Sequence, residues 1–376
     1  MPEPALYSSI FGDLVKKVQI TFDEASKQEI ALFSKAFYHG RFSWDTPTIE
    51  LTFEEIINKY NLVLAAAVIS DDGDSPMRSS DGFKTLANKV CRLTHTYPMP
   101  ISDYRKIISL LDSKMANRNS SVRAMALKKM EELMFKGPKE AVEGVEAQTD
   151  NLILSSLSNE GHLILDNKNN PEGIKLDLDY KMPDKNKFAA SKKAWTLENI
   201  DTIDIWEDFQ QILDEADGTS ELKEILLSPD KLNYILRAHK IKQMIFGTDK
   251  SSQMLSLNQF NEYMQENDYP ILNKINRKMA IQRDGVAQPI RPWNPDNIVF
   301  IPAGELGIIK NAYDDEEIKP SPGVANSYYN RIQVSQWSAG KADGKKSKEY
   351  TEASCMCLPV ITAIEGCYSL DTQTVA

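Results

Sequence analysis

Several constellations in the chain have residue types that could do chemistry, and each lacks a part that the chemistry needs. Gly340-Lys341-Ala342-Asp343-Gly344-Lys345-Lys346 has the glycines and lysine of a phosphate-cradling loop. The spacing between its glycines is one residue short, and Lys346 stands where a hydroxyl must hold Mg²⁺, so it reads as a solvated basic turn. Cys355-Met356-Cys357 would put two thiols on one side of a strand. No second Cys or His pair stands at zinc spacing, so two small buried residues is the simpler reading. His39, His95, His162 and His239 form neither an HExxH nor a His-x-His pattern, and His239 on an apolar helical face reads as a satisfied core residue. Asp72-Gly73-Asp74 opens like a calcium loop but lacks the downstream glycine and bidentate Glu, which makes it an exposed turn. Asp314-Asp315-Glu316-Glu317 reads as a solvated acidic loop. Neither a GxSxG elbow nor a glycine-rich dinucleotide fingerprint occurs. The sequence thus predicts no catalytic residue, no cofactor and no metal site.

Composition narrows the class. A chain of 376 residues, 41% hydrophobic and 26% charged, suffices for two or three globular domains. A mean hydropathy of −0.41 and the lack of an apolar run of about 18 residues give no membrane-spanning helix. The opening MPEPALYSSIFGDLVKK lacks a basic region followed by an apolar core, so no signal peptide is read. Four irregularly spaced cysteines do not make a disulfide framework and point to synthesis in a reducing compartment. A net charge of −10 argues against a dedicated nucleic-acid binder, which carries a basic patch, but not against a protein that encloses nucleic acid.

The elements that must position these residues are organised around 122–165. Val122, Met125, Ala126, Met130, Leu133 and Met134 recur at helical spacing, and Gly137-Pro138 predicts a helix end and a new start. Val142, Val145, Thr149, Leu152, Ile153 and Leu157 then form a second stripe up to Gly161. A helix over 139–160 would span roughly 33 Å, which suits a rod laid across a sheet. Residues 1–45 hold too little apolar content to fold alone and read as an arm. Residues 46–104 read as an out-and-back β excursion with a polar tip, burying little on its own chain. Within it, 61–70 is a continuous apolar run, and 90–97 alternates with Cys91, Leu93, His95 and Tyr97 on one face. A short helix over 103–111 and a strand over 174–180 follow. Residues 196–265 read as helical in three pieces, the second opened by a Ser228 cap and Pro229 and closed by Gly247. Strands are expected at 279–283, 298–301, 331–337 and 352–364, and a loop at 314–326. Helices mixed with antiparallel strands give an α+β fold.

The order of these elements resembles the major capsid proteins of tailed bacteriophages, those with the Hong Kong 97-type fold, in particular the branch that includes the lambda head protein. Four stretches carry the resemblance: ISDDGDSPMRSSDGF (69–83), FKGPKEAVEGVEAQTDNLILSSLSNEG (135–161), PWNPDNIVFIPAGELGIIKNAYDDEE (292–317) and EASCMCLPVI (352–361). They are similar to the family's extended loop, spine helix, axial-domain segment and a late strand. The resemblance implies an N-terminal arm (1–45), an extended loop (46–104), a peripheral domain with the spine helix (105–195 and 327–376), and an axial domain (196–326).

The same resemblance implies a self-assembling icosahedral shell of pentamers and hexamers around double-stranded DNA, bound without sequence specificity. It implies a separate scaffolding protein and a portal, with room for a decoration protein. The location implied is the virion, after assembly in the host bacterial cytoplasm. Lys84 and Lys89 flank the loop tip without matched Asn and Glu partners, so no crosslinking residue is carried over. The expected contacts between subunits set Arg78, Lys84 and Lys89 of the loop against Glu140, Glu143 and Glu146 of a neighbour's helix. Two other classes are open: an encapsulin-like compartment that carries cargo, and a cytosolic α/β enzyme supported by composition alone.

Overall fold

The computed structural model describes residues 19–20, 23, 36–57, 85–99, 105–106, 109, 120–171, 173–248, 253–283, 286–339 and 348–376. The loop tip at 71–82, the apolar run at 61–70, most of the 103–111 helix and the 340–346 turn lie outside these residues.

A turn at 37–41 leads into β1 (Phe42–Trp44). β2 (Thr52–Ile56) and β3 (Thr85–Lys89) form an antiparallel pair, with Thr52 opposite Lys89. β4 (Cys91–Met99) follows and shows the expected alternation, with Leu93 buried and Arg92, Thr94 and Thr96 exposed. The root of the excursion buries more than its sequence suggests: Ile57, Leu86, Val90 and Leu93 all belong to the chain's own core.

α1 (Ser120–Ser158) is one helix of 39 residues, roughly 60 Å long. It runs straight through Gly137-Pro138, where local signals predict a break. Pro138 removes a single N–H from the ladder. Gly137 lies against the sheet, where a Cβ would stand 3.3 Å from Thr351 Oγ1. Gly144 serves the same end, since a Cβ there would overlap the His95 imidazole on β4. Packing of the helix on the sheet thus overrides the helix-stop signal.

Gly161, at φ +80°, ends the turn after α1. β5 (His162–Leu165) and β6 (Leu176–Asp179) pair as a short hairpin, and β7 (Lys187–Ala190) follows. α2 (Ile205–Ala216) buries Phe209 and Ile212 and is the first of the expected helical pieces. β8 (Leu222–Leu227) interrupts the predicted helical region; its Ile225, Leu226 and Leu227 are all buried, the mark of a central strand. α3 (Pro229–Arg237) starts as expected, with Ser228 Oγ accepting from Lys231 N. The chain bends at Ala238, and α4 (His239–Phe246) takes a new course. His239 is therefore exposed rather than a core residue, with Nε2 3.3 Å from Gln243 Nε2. α5 (Leu257–Glu266) opens on a reciprocal Ser256–Gln259 capping box.

The rest is mostly β: β9 (Ile271–Lys274), the hairpin of β10 (Met279–Arg283) and β11 (Val286–Ile290), β12 (Asn297–Pro302) and β13 (Gly307–Ala312). The acidic run then forms α6 (Asp315–Ile318) rather than a solvated loop. Asp314 is buried, caps the turn, and lies 3.4 Å from Arg92. β14 (Ala325–Tyr329), β15 (Ile332–Ala339), β16 (Lys348–Val360) and β17 (Tyr368–Val375) complete the chain.

One sheet runs β1-β13-β16-β15-β14, with β4 along the opposite edge of β16. The other runs β7-β17-β12-β8-β9. α1 lays Ala141, Val142, Val145, Leu152 and Ile153 into a core shared with the first sheet. The second sheet packs Ile225, Phe300 and Leu370 against Trp195, Phe209 and Phe260. Helices laid on largely antiparallel sheets make this an α+β fold, as expected.

Residues 349, 351, 353 and 355 of β16 share one face, and Thr351 meets α1 at Gly137. Glu349 on that face is 8% exposed, and its Oε1 has no hydrogen-bond partner among the described residues. Burial pushes this carboxyl up to about 7. A carboxyl raised in the folded state stabilises it below the unfolded value, and that contribution is lost as pH rises through the folded one. Glu349→Gln should therefore match the parent at pH 4 and exceed it at pH 8.5 by up to roughly 3 kcal/mol, at about 1.4 kcal/mol per pH unit. Urea melts at both values check this; an equal difference at both would remove Glu349 as the source.

Candidate assembly surface

The expected arm and extended loop join the body of the fold at residues 36–45, 52–57 and 85–90. Their roots are held by polar side chains projecting from buried elements. Asp150 on α1 is 2% exposed. Its Oδ2 accepts from Phe37 N at 2.8 Å and its Oδ1 from Tyr38 N at 3.1 Å, while Arg277 stands 3.0 Å away. Burial pushes its carboxyl up, opposed by the Phe37 N–H and the Arg277 charge. One helical turn earlier, Glu146 Oε1 accepts from Tyr38 Oη at 3.3 Å and lies 3.0 Å from His39 Nε2. Burial, with the Glu146 and Asp150 charges beside it, drives the Tyr38 phenol far above its ordinary range, so it stays protonated and donates.

Arg41 completes this anchor. Its guanidinium bonds both oxygens of Glu224 at 2.9 and 3.1 Å and stacks 4.6 Å from the Phe37 ring centroid. Glu224 also accepts from Asn273 Nδ2 at 2.7 Å. β1 then adds to the first sheet as a parallel strand, Phe42 opposite Gly307.

The loop root is tied to the same strand. Lys310 on β13 reaches Asp45 at 2.6 Å and Glu55 at 2.5 Å, joining the end of the arm to β2 through one cation. The Lys310 hydrogen bond holds the Asp45 carboxyl below its usual range. Thr48 N donates to Asn311 O at 3.2 Å, Tyr313 N to Thr48 O at 2.9 Å, and Val90 N to Leu51 O at 2.8 Å. Further out, the Gln19 amide brackets one residue of β14: Tyr328 N donates to Oε1 at 2.8 Å, and Nε2 donates to Tyr328 O at 3.3 Å. That pairing covers an outward-facing N–H and C=O on an edge strand.

The residues expected at subunit contacts fare differently. Arg78 and Lys84 lie outside the described residues. Lys89 is exposed at the end of β3. Glu140 and Glu143 are partly exposed and sit 4.0 and 3.9 Å from Lys136 and Lys139 on the same helix. Glu146 is 4% exposed and turned into its own chain, so it offers no acidic surface to a neighbour. Its i, i+4 relation to Asp150, inside the most apolar part of α1, was the available sign that both carboxylates face inward. Nothing local in the sequence marked Lys310 as the partner of Asp45 and Glu55, or Glu224 as the partner of Arg41.

The chemistry of the surface is modest. Among the described residues no group of three or more His, Cys, Asp or Glu is placed to hold a metal ion. A cleft of about 440 Å³ between α3 and the 295–296 turn is lined by Tyr234, Arg237 and Lys231, and Lys231 is already engaged with Asp296 at 3.2 Å.

No family model matches the chain, and no curated protein matches it. Solved structures do. A protein assigned as the capsid protein of a prophage in E. coli CFT073 superposes with a TM-score of 0.58 at 14% identity, covering 95% of this chain and 98% of its own. The capsid of cyanophage P-SCSP1u aligns at a TM-score of 0.43 and 9% identity, over 92% and 90% of the two chains. A virus-like particle from Pyrococcus furiosus aligns at 0.41 and 11%, over 96% and 99%. At that level the last two add nothing to the first. The chain has a phage capsid protein fold, as its resemblance implied.

Proposed function

We propose that the chain is the major capsid protein of a tailed bacteriophage, a structural protein without catalytic activity that assembles into a closed shell around double-stranded DNA. The observation that carries this reading is the end-to-end likeness in fold to the prophage capsid protein, with nearly all of both chains covered. The anchors of the expected arm and loop fit the same reading. Lys310 on β13 holds Asp45 and Glu55, and Asp150 on α1 holds the backbone of Phe37 and Tyr38.

On this proposal residues 1–45 are the arm, 46–104 the extended loop, 105–195 with 327–376 the peripheral domain, and 196–326 the axial domain. The partners are further copies in pentamers and hexamers, a separate scaffolding protein and a portal, and the place of action is the virion. A net charge of −10 keeps the shell from adhering to the phosphates it encloses. Arg78, Lys84 and Lys89 of one copy facing Glu140 and Glu143 of the next supply local attraction. Each exposed pair contributes only about 0–1 kcal/mol. Repetition over many equivalent contacts makes assembly weaken as salt shortens the screening length to about 3 Å at 1 M.

Imaging and sedimentation of the purified protein across a salt series test the reading. Closed particles are expected, and particles without residues 1–35 should fail to close while their subunits melt as before, because the Asp150 anchor begins at residue 37. A small defined oligomer at every salt concentration would support an enzyme instead. Closed particles that carry protein cargo and no DNA in the natural host would support a compartment shell.

A further inference from the structure

Three of the four cysteines meet on one face of one sheet. Cys91 on β4 stands directly opposite Cys357 on β16, and Cys355, two residues along, stands opposite Leu93. Strand alternation sets Cys355 and Cys357 on the same side. Cys355 and Cys357 are buried, Cys91 is half-buried, and all are free thiols. Cys367 lies apart, its Sγ 3.3 Å from Ala363 O.

Geometry selects one pair. Directly opposite residues of antiparallel strands have Cα atoms about 4.5 or 5.5 Å apart. Both spacings fall within the about 4.4–6.8 Å that a disulfide spans. Cys91 and Cys355 are diagonal neighbours, about 7–8 Å apart, which is too far. Cys355 and Cys357 follow one another on a strand with Cβ vectors that run parallel instead of converging.

We propose that Cys91 and Cys357 are a modification site: a disulfide oxidant such as oxidised glutathione converts them to a cross-strand disulfide. The bond staples β4, which follows β3 at the end of the expected loop, to β16 in the first sheet. Cys91 reacts first because solvent reaches it. Its thiolate displaces one glutathione from the oxidant and forms a mixed disulfide. The Cys357 thiolate then attacks Cys91 Sγ and displaces the second glutathione. Two protein S–H bonds break and one S–S bond forms. Two electrons pass to the oxidant, whose sulfurs leave as two glutathiones carrying the two protons. Burial, with Cys357 beside it, holds the Cys91 thiol above its usual range. Thiolate is therefore scarce near neutrality, and the rate rises about tenfold per pH unit below the pKa. A chain made in a reducing interior would acquire the staple only after exposure to an oxidising medium. The inference rests on strand register and not on the shell reading.

The test incubates the full-length protein with oxidised glutathione at pH 8.5, then digests it without reduction for mass spectrometry. The expected product has lost two hydrogens per chain and yields one crosslinked peptide pair holding Cys91 and Cys357. Amides of β4 should then exchange at least about tenfold more slowly, and a reductant should reverse this. Cys355→Ala should keep the crosslink and Cys91→Ser should lose it. A persistent glutathione adduct on Cys91, a Cys355–Cys357 bond, a bond between two chains, or no reaction would each overturn the proposal. Sedimentation of the same protein in reductant reads the shell reading separately.

Discussion

Alanine at Asp150 should lower stability by about 3–5 kcal/mol, the range for removing one partner of a buried ion pair. The carboxylate accepts two backbone N–H groups and faces Arg277, all from segments distant in sequence. Its removal leaves the buried Phe37 and Tyr38 N–H groups without their acceptor and takes the negative charge from beside Arg277. The damage should start at the arm root. Amides of residues 36–42 should lose protection at denaturant concentrations where the second sheet is still intact. Asp150→Asn keeps one acceptor oxygen and loses the charge, so it should fall between parent and alanine. Urea melts with hydrogen exchange measure both effects. A loss below about 1 kcal/mol for alanine would mean that apolar packing of Phe37 and Tyr38 holds the root by itself.

Alanine at Gly307 is expected to cost about 3 kcal/mol, at the upper end of overpacking penalties. A Cβ there would overlap the Val360 carbonyl oxygen, stand 2.7 Å from Phe42 Cε1, and stand 3.0 Å from Ile361 Cα. Two of those three neighbours are backbone atoms in or next to the ladder, which cannot turn aside. Gly144 makes a useful contrast. Its added Cβ would overlap only the side chain of half-buried His95, which can rotate. Gly144→Ala should therefore cost less than half as much. Thermal melts of the two variants, run side by side, decide it. If Gly144→Ala proves the worse, the helix-to-strand approach limits stability rather than the junction of β1, β13 and β16.

The amino-acid sequence by itself determined most of the local structure. The second stripe of α1, the alternation of β4, the Ser228 and Ser256 helix starts, the stop at Gly247 and the inward pair Cys355 and Cys357 all follow from spacing and cap chemistry acting within a few residues. The order of those elements also sufficed for the resemblance that the fold bears out. Tertiary structure decided the rest, because the deciding forces act between segments far apart in the chain. Gly137-Pro138 carries a helix-stop signal, yet the helix continues, and Gly137 lets it approach Thr351. Leu222–Leu227 could not be told from helix by periodicity, since a strand buried on both faces shows no alternation. Glu146 looks like one more carboxylate on a charged rod until the 36–41 turn closes over it. Asp314 looks like solvated charge until it caps α6 beside Arg92. A charge reads the same in sequence whether water or a buried N–H solvates it, and only the folded chain brings the N–H.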